Sequence, residues 1–301
     1  LSIIYAPQLV GHATSSGPQA DGSGIRLARD IGARLVDMDK VQVHPTGFID
    51  PKNPNSISKI LAPEALRGSG AILVNSAGNR FGDELARRGV VTSYIEQYGD
   101  HNQPVLESGR MQTTAYMILN QQVVDTFGQK LFNFYLGRGI FREYKNVGAL
   151  CEGEMIQPIL EKTLTEYSHI ATIADFGGGT TTDAFGKTVF PVPIDASETL
   201  FVATITPVMH YNMGGIKINT KAEVLKNIPK ESETGSEGGS AGVIKGFYAA
   251  GECTGGVHGG DRLAGNSLMD CIVFGRIAGR QAAITGTNSN GIDIDSHVDE
   301  L

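Results

Sequence analysis

GECTGGVHGGDRLAGNSLMDCIVFGRIAG, residues 251–279, joins a glycine-rich turn to a segment with helical spacing. Glycines let a backbone approach a ligand closely and turn its N–H groups toward it. A helix N-terminus favours negative charge. A guanidinium placed at such a turn can grip a carboxylate through two parallel hydrogen bonds. The stretch therefore implies one anionic ligand at the turn and a second anion held by Arg262. Upstream, GVIKGFYAAGE (242–252) reads as a strand ending at a glycine–acid turn, and Asn266 or Ser267 caps the helix that follows. Gly275 and Gly279 lie four apart on that helix, a spacing that allows close packing on a sheet. Strand, glycine turn and helix in this order make an α/β chain, α+β overall.

The rest of the chain is consistent with a globular protein that handles a small acid. Its 301 residues can bury a large core, and its formal net charge of −7 argues against a nucleic-acid surface. Cys151, Cys253 and Cys271 make no CxxC pair, so neither a disulfide scaffold nor a structural zinc site is expected. No CxxCH or iron–sulfur cysteine series is present. No apolar run is long enough to predict a transmembrane segment. The tail SHVDEL is a weak ER-retrieval-like signal with Val where Lys or His normally stands, leaving cytoplasm, mitochondrion and ER lumen open.

Outward from the opening stretch, residues 22–35 read as a helix entered at Asp21 and ended near Gly32. Met38, Val41 and Val43 read as a strand running into a loop at HPTG (44–47). AILVN (71–75) is a strand, and residues 83–98 one or two helical turns around Gly89. Gly99 to Pro104 reads as a linker. Residues 113–136 and 155–176 read as helices, and FVATITPVMH (201–210) as a strand. Residues 230–240 form a polar low-complexity loop, and GGGTTTDAFGK (177–187) reads as a hinge without the spacing of a phosphate loop.

Five loops place histidine or arginine beside glycine or proline: QVHPTG with His44, PEALRG with Glu64 and Arg67, NRFGDELARRG with Arg80, Arg87 and Arg88, PVMHYNMGG with His210, and HGGDRLAGN with His258 and Arg262. Together they can line a pocket for a dicarboxylate. His44, His210 and His258 lack the short spacing of metal ligands, so no metal is expected. Cys253, five residues before His258, reads as a small buried side chain rather than a nucleophile.

HPTG, EALRG, NRF-x-x-E-x-x-x-R, MHYNMGG and YAAGE-x-TGGVHG-x-x-R-x-x-GNS occur here in one order, between about Gly17 and Ala283. In these motifs the chain resembles the flavoprotein fumarate reductases of the succinate dehydrogenase/fumarate reductase family, in their soluble single-subunit branch. The resemblance implies a partial Rossmann-like FAD-binding domain with an inserted capping domain that closes over the isoalloxazine ring, the dicarboxylate lying between them. On that basis residues 1–94 and 196–285 belong to the FAD-binding domain, 95–195 to the cap and 286–301 to a C-terminal tail. The resemblance assigns substrate binding to His44, His210 and Arg262, proton donation to Arg88, and its reprotonation to Glu64 and Arg67. It assigns FAD contacts to Glu252, Asn266 and Ser267, with Gly259, Gly260 and Gly265 letting the backbone approach the cofactor. The implied reaction is reduction of fumarate to succinate. Hydride comes from flavin N5, a proton from arginine, and electrons from a reduced flavin or a partner protein not identified by the sequence.

Two departures matter. Pro63 precedes Glu64, where soluble members carry a threonine that helps hold the second carboxylate, which keeps open a reductase or dehydrogenase of another 2-enoate or of succinate. The strand and GxGxxG turn that hold the FAD pyrophosphate are absent, so LSIIYAPQLV reads as a start partway through the FAD domain. A truncated non-catalytic fragment is the alternative of a different class.

Overall fold

The computed structural model describes residues 2–101, 105–152, 155–176, 181–227 and 242–290, and every structural statement concerns these. The linker residues 102–104, the hinge residues 177–180, the whole polar loop 230–240 and the VDEL tail lie outside them.

The helices are α1 (Ser2–Tyr5), α2 (Ser23–Asp30), α3 (Glu64–Gly68), α4 (Arg88–Tyr98), α5 (Gln121–Phe127), α6 (Gln129–Gly137), α7 (Val147–Cys151), α8 (Gln157–Phe176) and α9 (Asn266–Asn290). The strands are β1 (Leu35–Val36), β2 (Val41–Phe48), β3 (Ile60–Leu61), β4 (Ile72–Val74), β5 (Ala115–Asn120), β6 (Arg142–Tyr144), β7 (Leu200–Asn212), β8 (Gly215–Lys217), β9 (Glu223–Leu225), β10 (Val243–Tyr248) and β11 (Thr254–Gly255). The expected mixture of helix and strand is present.

The chain divides into two compact units. A terminal unit comprises Leu1–Val10, Pro18–Gln42 and Tyr211–Leu301; a central unit comprises Gly11–Gly17 and Val43–His210. The central unit is built on a six-stranded sheet of order β3-β2-β7-β5-β4, with β6 also pairing β7. β5 runs antiparallel to both β4 and β7. Successive side chains of a strand face opposite sides, and the two cores follow that alternation. Leu73, Met117, Leu119, Phe201, Ala203 and Ile205 join one apolar cluster. Ile72, Val74, Ile118, Leu200 and Val202 join the other, beneath α7 and α8. Since β5 is hydrogen-bonded on both edges within this sheet, residues 95–195 are embedded in the central unit.

The terminal unit carries a three-stranded sheet, β1-β8-β11, and the pair β10-β9. α2 contributes Ile25 and Ala28 to a core with Ile216, Val224 and Ala249. Asp21 accepts a bond from the Ser23 amide at 2.8 Å, so it braces the entry to α2 from one residue before Gly22, which occupies the cap position.

Several local expectations are corrected. HPTG is strand rather than loop: His44 to Gly47 lie within β2. Residues 115–120 are strand, and helix begins only at Gln121, where the Asn120 side chain caps α5 by accepting from the Val123 amide. The segment after Arg87 is a helix of 11 residues. α9 starts at Asn266, and the residue before it is Gly265, at φ +81. Its carbonyl accepts from the Leu268 amide at 3.2 Å, so glycine, rather than Asn266 or Ser267, makes the turn into the helix. A side chain added at Gly275 or Gly279 would meet nothing within 4 Å, so these glycines make no close packing among the described residues.

Candidate active site

Glu64 opens α3 directly after Pro63, whose backbone is extended at φ −59 and ψ 144. Its carboxylate receives both Nε of Arg88, at 2.6 Å, and Nη2 of Arg88, at 2.9 Å. This is the two-pronged arginine–carboxylate geometry. One helical turn on, Arg67 Nη2 stands 3.9 Å from the same carboxylate. The three side chains thus form a continuous series, Arg67–Glu64–Arg88. Arg88 lies on the inner stripe of α4 with Val91, Thr92 and Ile95, the spacing of one helix face. Arg87 is exposed. Burial therefore separates the two adjacent arginines, and Arg88 is the one joined to Glu64.

Arg67 is buried, and its Nη1 donates to the main-chain oxygen of Glu84. Burial lowers its proton affinity, the Glu64 charge opposes that effect, and Arg88 adds to it. Its Nε and Nη2 find no hydrogen-bond partner among the described residues. A guanidinium that is desolvated and incompletely paired releases a proton more readily than one in water. Glu84 is held in turn by Arg80, at 2.8 Å from each carboxylate oxygen, and by Lys187, at 2.7 Å. Arg80 also donates to Asp183 at 2.9 Å. Lys187 and Asp183 come from the segment read as a hinge.

His44 and His210 lie on β2 and β7 with ring centroids 5.2 Å apart, edge to face. The Thr46 amide donates to His44 Nδ1 at 3.2 Å, which leaves the neutral ring's proton on Nε2. Burial, then the charge of Arg67, then His210 and Arg88 hold the His44 pKa well below its ordinary value. His44 is accordingly a neutral N–H donor at pH 7. Ser15 Oγ meets His210 Nδ1 at 2.8 Å and fixes that ring.

The other predicted residues belong to the terminal unit. Arg262 is buried, its guanidinium carbon 4.7 Å above the centre of the Tyr211 ring. Gln42 holds this loop through Asp261 Oδ1 at 2.7 Å and the Arg262 carbonyl at 3.2 Å. Glu252 accepts from the Asn212 amide at 3.0 Å, and surrounding protein raises its carboxyl pKa. Gly259 and Gly260 are exposed, with nothing near the position a side chain would take. The central unit therefore brings together His44, Glu64, Arg67, Arg88 and His210. The terminal unit carries Glu252, Gly259, Gly260, Arg262, Gly265, Asn266 and Ser267. Among the described residues no group of three His, Cys, Asp or Glu side chains could hold a metal ion. No described helix is long and apolar enough to cross a membrane.

The sequence profile of the FAD binding domain family matches residues 4–268. The chain belongs to this family. This FAD-binding chain is 36% identical over 283 residues to a fumarate reductase of Schizosaccharomyces pombe, covering 94% of itself and 49% of that protein. It is 40% identical over 286 residues to fumarate reductase 1 of Saccharomyces cerevisiae, covering 93% of itself and 55% of that protein. Among solved structures, the open conformation of a flavocytochrome c3 fumarate reductase is similar. Its TM-score is 0.64 at 33% identity, over 94% of this chain and 43% of that one. The resemblance to fumarate reductases expected from the motifs is thus met across most of the chain. The chain spans about half the length of the curated relatives it matches.

The residues of the terminal unit fit part of an FAD. Two unencumbered glycines, a carboxyl of raised pKa and the start of a long helix offer backbone N–H groups and a hydrogen-bonding acid to a polar ring edge. Sequence reasoning missed Ser15 and Thr46, which orient the histidines. It also missed Tyr211 and Asp270 around Arg262, and the part played by Glu84, although Glu84 lies inside the NRF-x-x-E motif.

Proposed function

We propose that this chain carries the residues for FAD-dependent reduction of fumarate to succinate. The observation behind this reading is the Arg67–Glu64–Arg88 series, with both Arg88 prongs on one carboxylate. Glu252, Asn266, Ser267 and the glycines 259, 260 and 265 would hold FAD, which, once reduced by an external electron donor, would supply the hydride for one alkene carbon. The remaining chemistry belongs to the protein. In this reading Arg262 is the carboxylate-binding arginine of the terminal unit, and His210 and His44 are the substrate-binding histidines of the central unit, His44 as a neutral donor through Nε2. These fixed donors stabilise charge as it develops on the substrate. Arg88 delivers a proton to the other alkene carbon, Glu64 returns one to the guanidinium, and Arg67 refills Glu64. The lowered proton affinity of Arg67 favours that direction of flow. The capping role attached to residues 95–195 is best carried by the central unit in which they are embedded, with 1–94 and 196–285 otherwise serving FAD and 286–301 a tail.

The test is Arg88→Ala. The variant should retain the visible absorption of bound flavin and lose fumarate turnover; rapid turnover refutes the assignment. Pro63 before Glu64 favours a second reading in which another 2-enoate or succinate is the substrate. Comparing turnover of fumarate with that of other 2-enoates separates the two. A protein that takes up no flavin would overturn both readings.

A further inference from the structure

Arg262 rests on an aromatic ring whose hydroxyl end is tethered. The Tyr211 ring lies under its guanidinium at 4.7 Å, and both side chains are buried. The Tyr211 hydroxyl donates to Asp270 Oδ2 at 2.9 Å. The same oxygen meets His258 Nε2 at 3.3 Å, and the His258 ring stands edge to face with Tyr211 at 5.5 Å. Asp270 lies within α9, so the tether anchors the ring to a long, regular element. Gln42 Nε2 donates to the Arg262 carbonyl at 3.2 Å and holds its main chain. Burial and the Asp270 carboxylate raise the Tyr211 pKa, which keeps the hydroxyl protonated as a donor.

A guanidinium binds a carboxylate through two prongs only when its plane is set. A side chain with four rotatable bonds loses that plane unless something packs flat against it. Here the Tyr211 ring lies under the guanidinium carbon, and the bond to Asp270 holds the hydroxyl end of that ring in place. We propose that Tyr211 is a positioning residue for Arg262, with Asp270 as its tether, and that this pair sets how tightly a substrate carboxylate is held. The proposal rests on the carboxylate-binding role assigned to Arg262.

The test uses this chain with FAD present and two readouts. In arginine 15N spectra, ring current should move the Arg262 Nε–H signal upfield, identified by its loss in Arg262→Lys. Tyr211→Leu should abolish that shift and weaken succinate binding about 2- to 30-fold, the range of a partly desolvated cation–π contact. Tyr211→Phe keeps the face and loses the tether. It should retain the shift with a broadened signal and bind succinate with intermediate affinity. Asp270→Asn tests the tether directly and should broaden the same signal. A wild-type chain without the shifted signal overturns the proposal, as does Tyr211→Leu with wild-type spectrum and affinity. If Tyr211→Leu fails to fold, a Tyr211→Phe variant indistinguishable from wild type overturns it equally. A wild-type chain that binds no succinate refutes the fumarate-reducing reading, while the spectra still decide whether Tyr211 holds Arg262.

Discussion

Arg88 and Arg87 are neighbours of identical chemistry, yet one lies on the inner stripe of α4 and the other is exposed. Substitutions should divide accordingly. Glu64→Gln keeps the shape of the acceptor but cannot return a proton, so turnover should fall about 10²- to 10⁴-fold, the usual weight of a general acid–base group. Arg87→Ala should turn over at close to the wild-type rate. Equal losses in steady-state assays of the two variants would dissociate the relay from catalysis. On the binding side, Arg262→Ala should weaken succinate binding by about 2–5 kcal/mol, as loss of a buried charged partner does; an isothermal titration reads it. The motif register in the sequence favoured Arg88 over Arg87, and the helix stripe supplies the physical reason. The partners of the predicted residues were not legible. Ser15 and His210 are 195 positions apart, and Tyr211 and Asp270 are 59 apart. A side-chain bond between distant segments leaves no local periodicity to read.

Among the elements, β5 explains a misreading. A strand covered on both faces loses the polar–apolar alternation that identifies a half-buried strand. AYMILN is apolar almost throughout, with Met117 in one core and Ile118 in the other. It also leads directly into α5, so the apolar run read as one long helix. HPTG was misread for a related reason, since proline and glycine signal loops. In β2 the glycine instead permits close strand packing. A Cβ at Gly47 would lie 2.3 Å from Val208 Cγ1. Val208 is buried and β-branched, with little freedom to rotate away. Gly47→Ala should therefore cost about 1–3 kcal/mol in urea unfolding, as overpacking does, and Val208→Ala in the same chain should recover part of it. If the single variant is as stable as wild type, β2 and β7 do not approach as described. The Glu84 cluster makes a second case. Glu84→Gln leaves Arg80 and the fully buried Lys187 short of a carboxylate, at a cost of about 3–5 kcal/mol. Adding Lys187→Met should cost less than its own single effect, because the partner charge is already gone.

At the scale of the whole molecule, length and net charge foretold a globular acidic protein, but they could not foretell its response to pH. That response depends on where the histidines lie. Burial, with the charges of Arg67 and Arg88 and the His210 ring, depresses the His44 pKa. Burial and the charge of Arg110 push the His12 pKa down to about 4. In the unfolded chain both titrate near 6.5. Below about pH 6.5 the unfolded state therefore binds protons that the native state refuses, and unfolding becomes easier as pH falls. Each group can contribute at most about 1.4 kcal/mol per pH unit, and half-exposed His12 less because water screens it. Glu84 adds a second phase at lower pH. Although burial alone would raise its pKa, Arg80 and Lys187 hold it below the ordinary carboxylate value. The stability from its ionised form is present above about pH 4.5 and is lost as pH falls further. Urea midpoints measured between pH 7.5 and 4 should accordingly be flat above about pH 7, decline from about 6.5 and steepen below about 4.5. His12→Gln should flatten the decline between about 6.5 and 4 without altering the plateau slope, and His44→Gln should flatten it further. A wild-type midpoint constant from pH 7 to 5 would mean that neither histidine is held neutral by the fold.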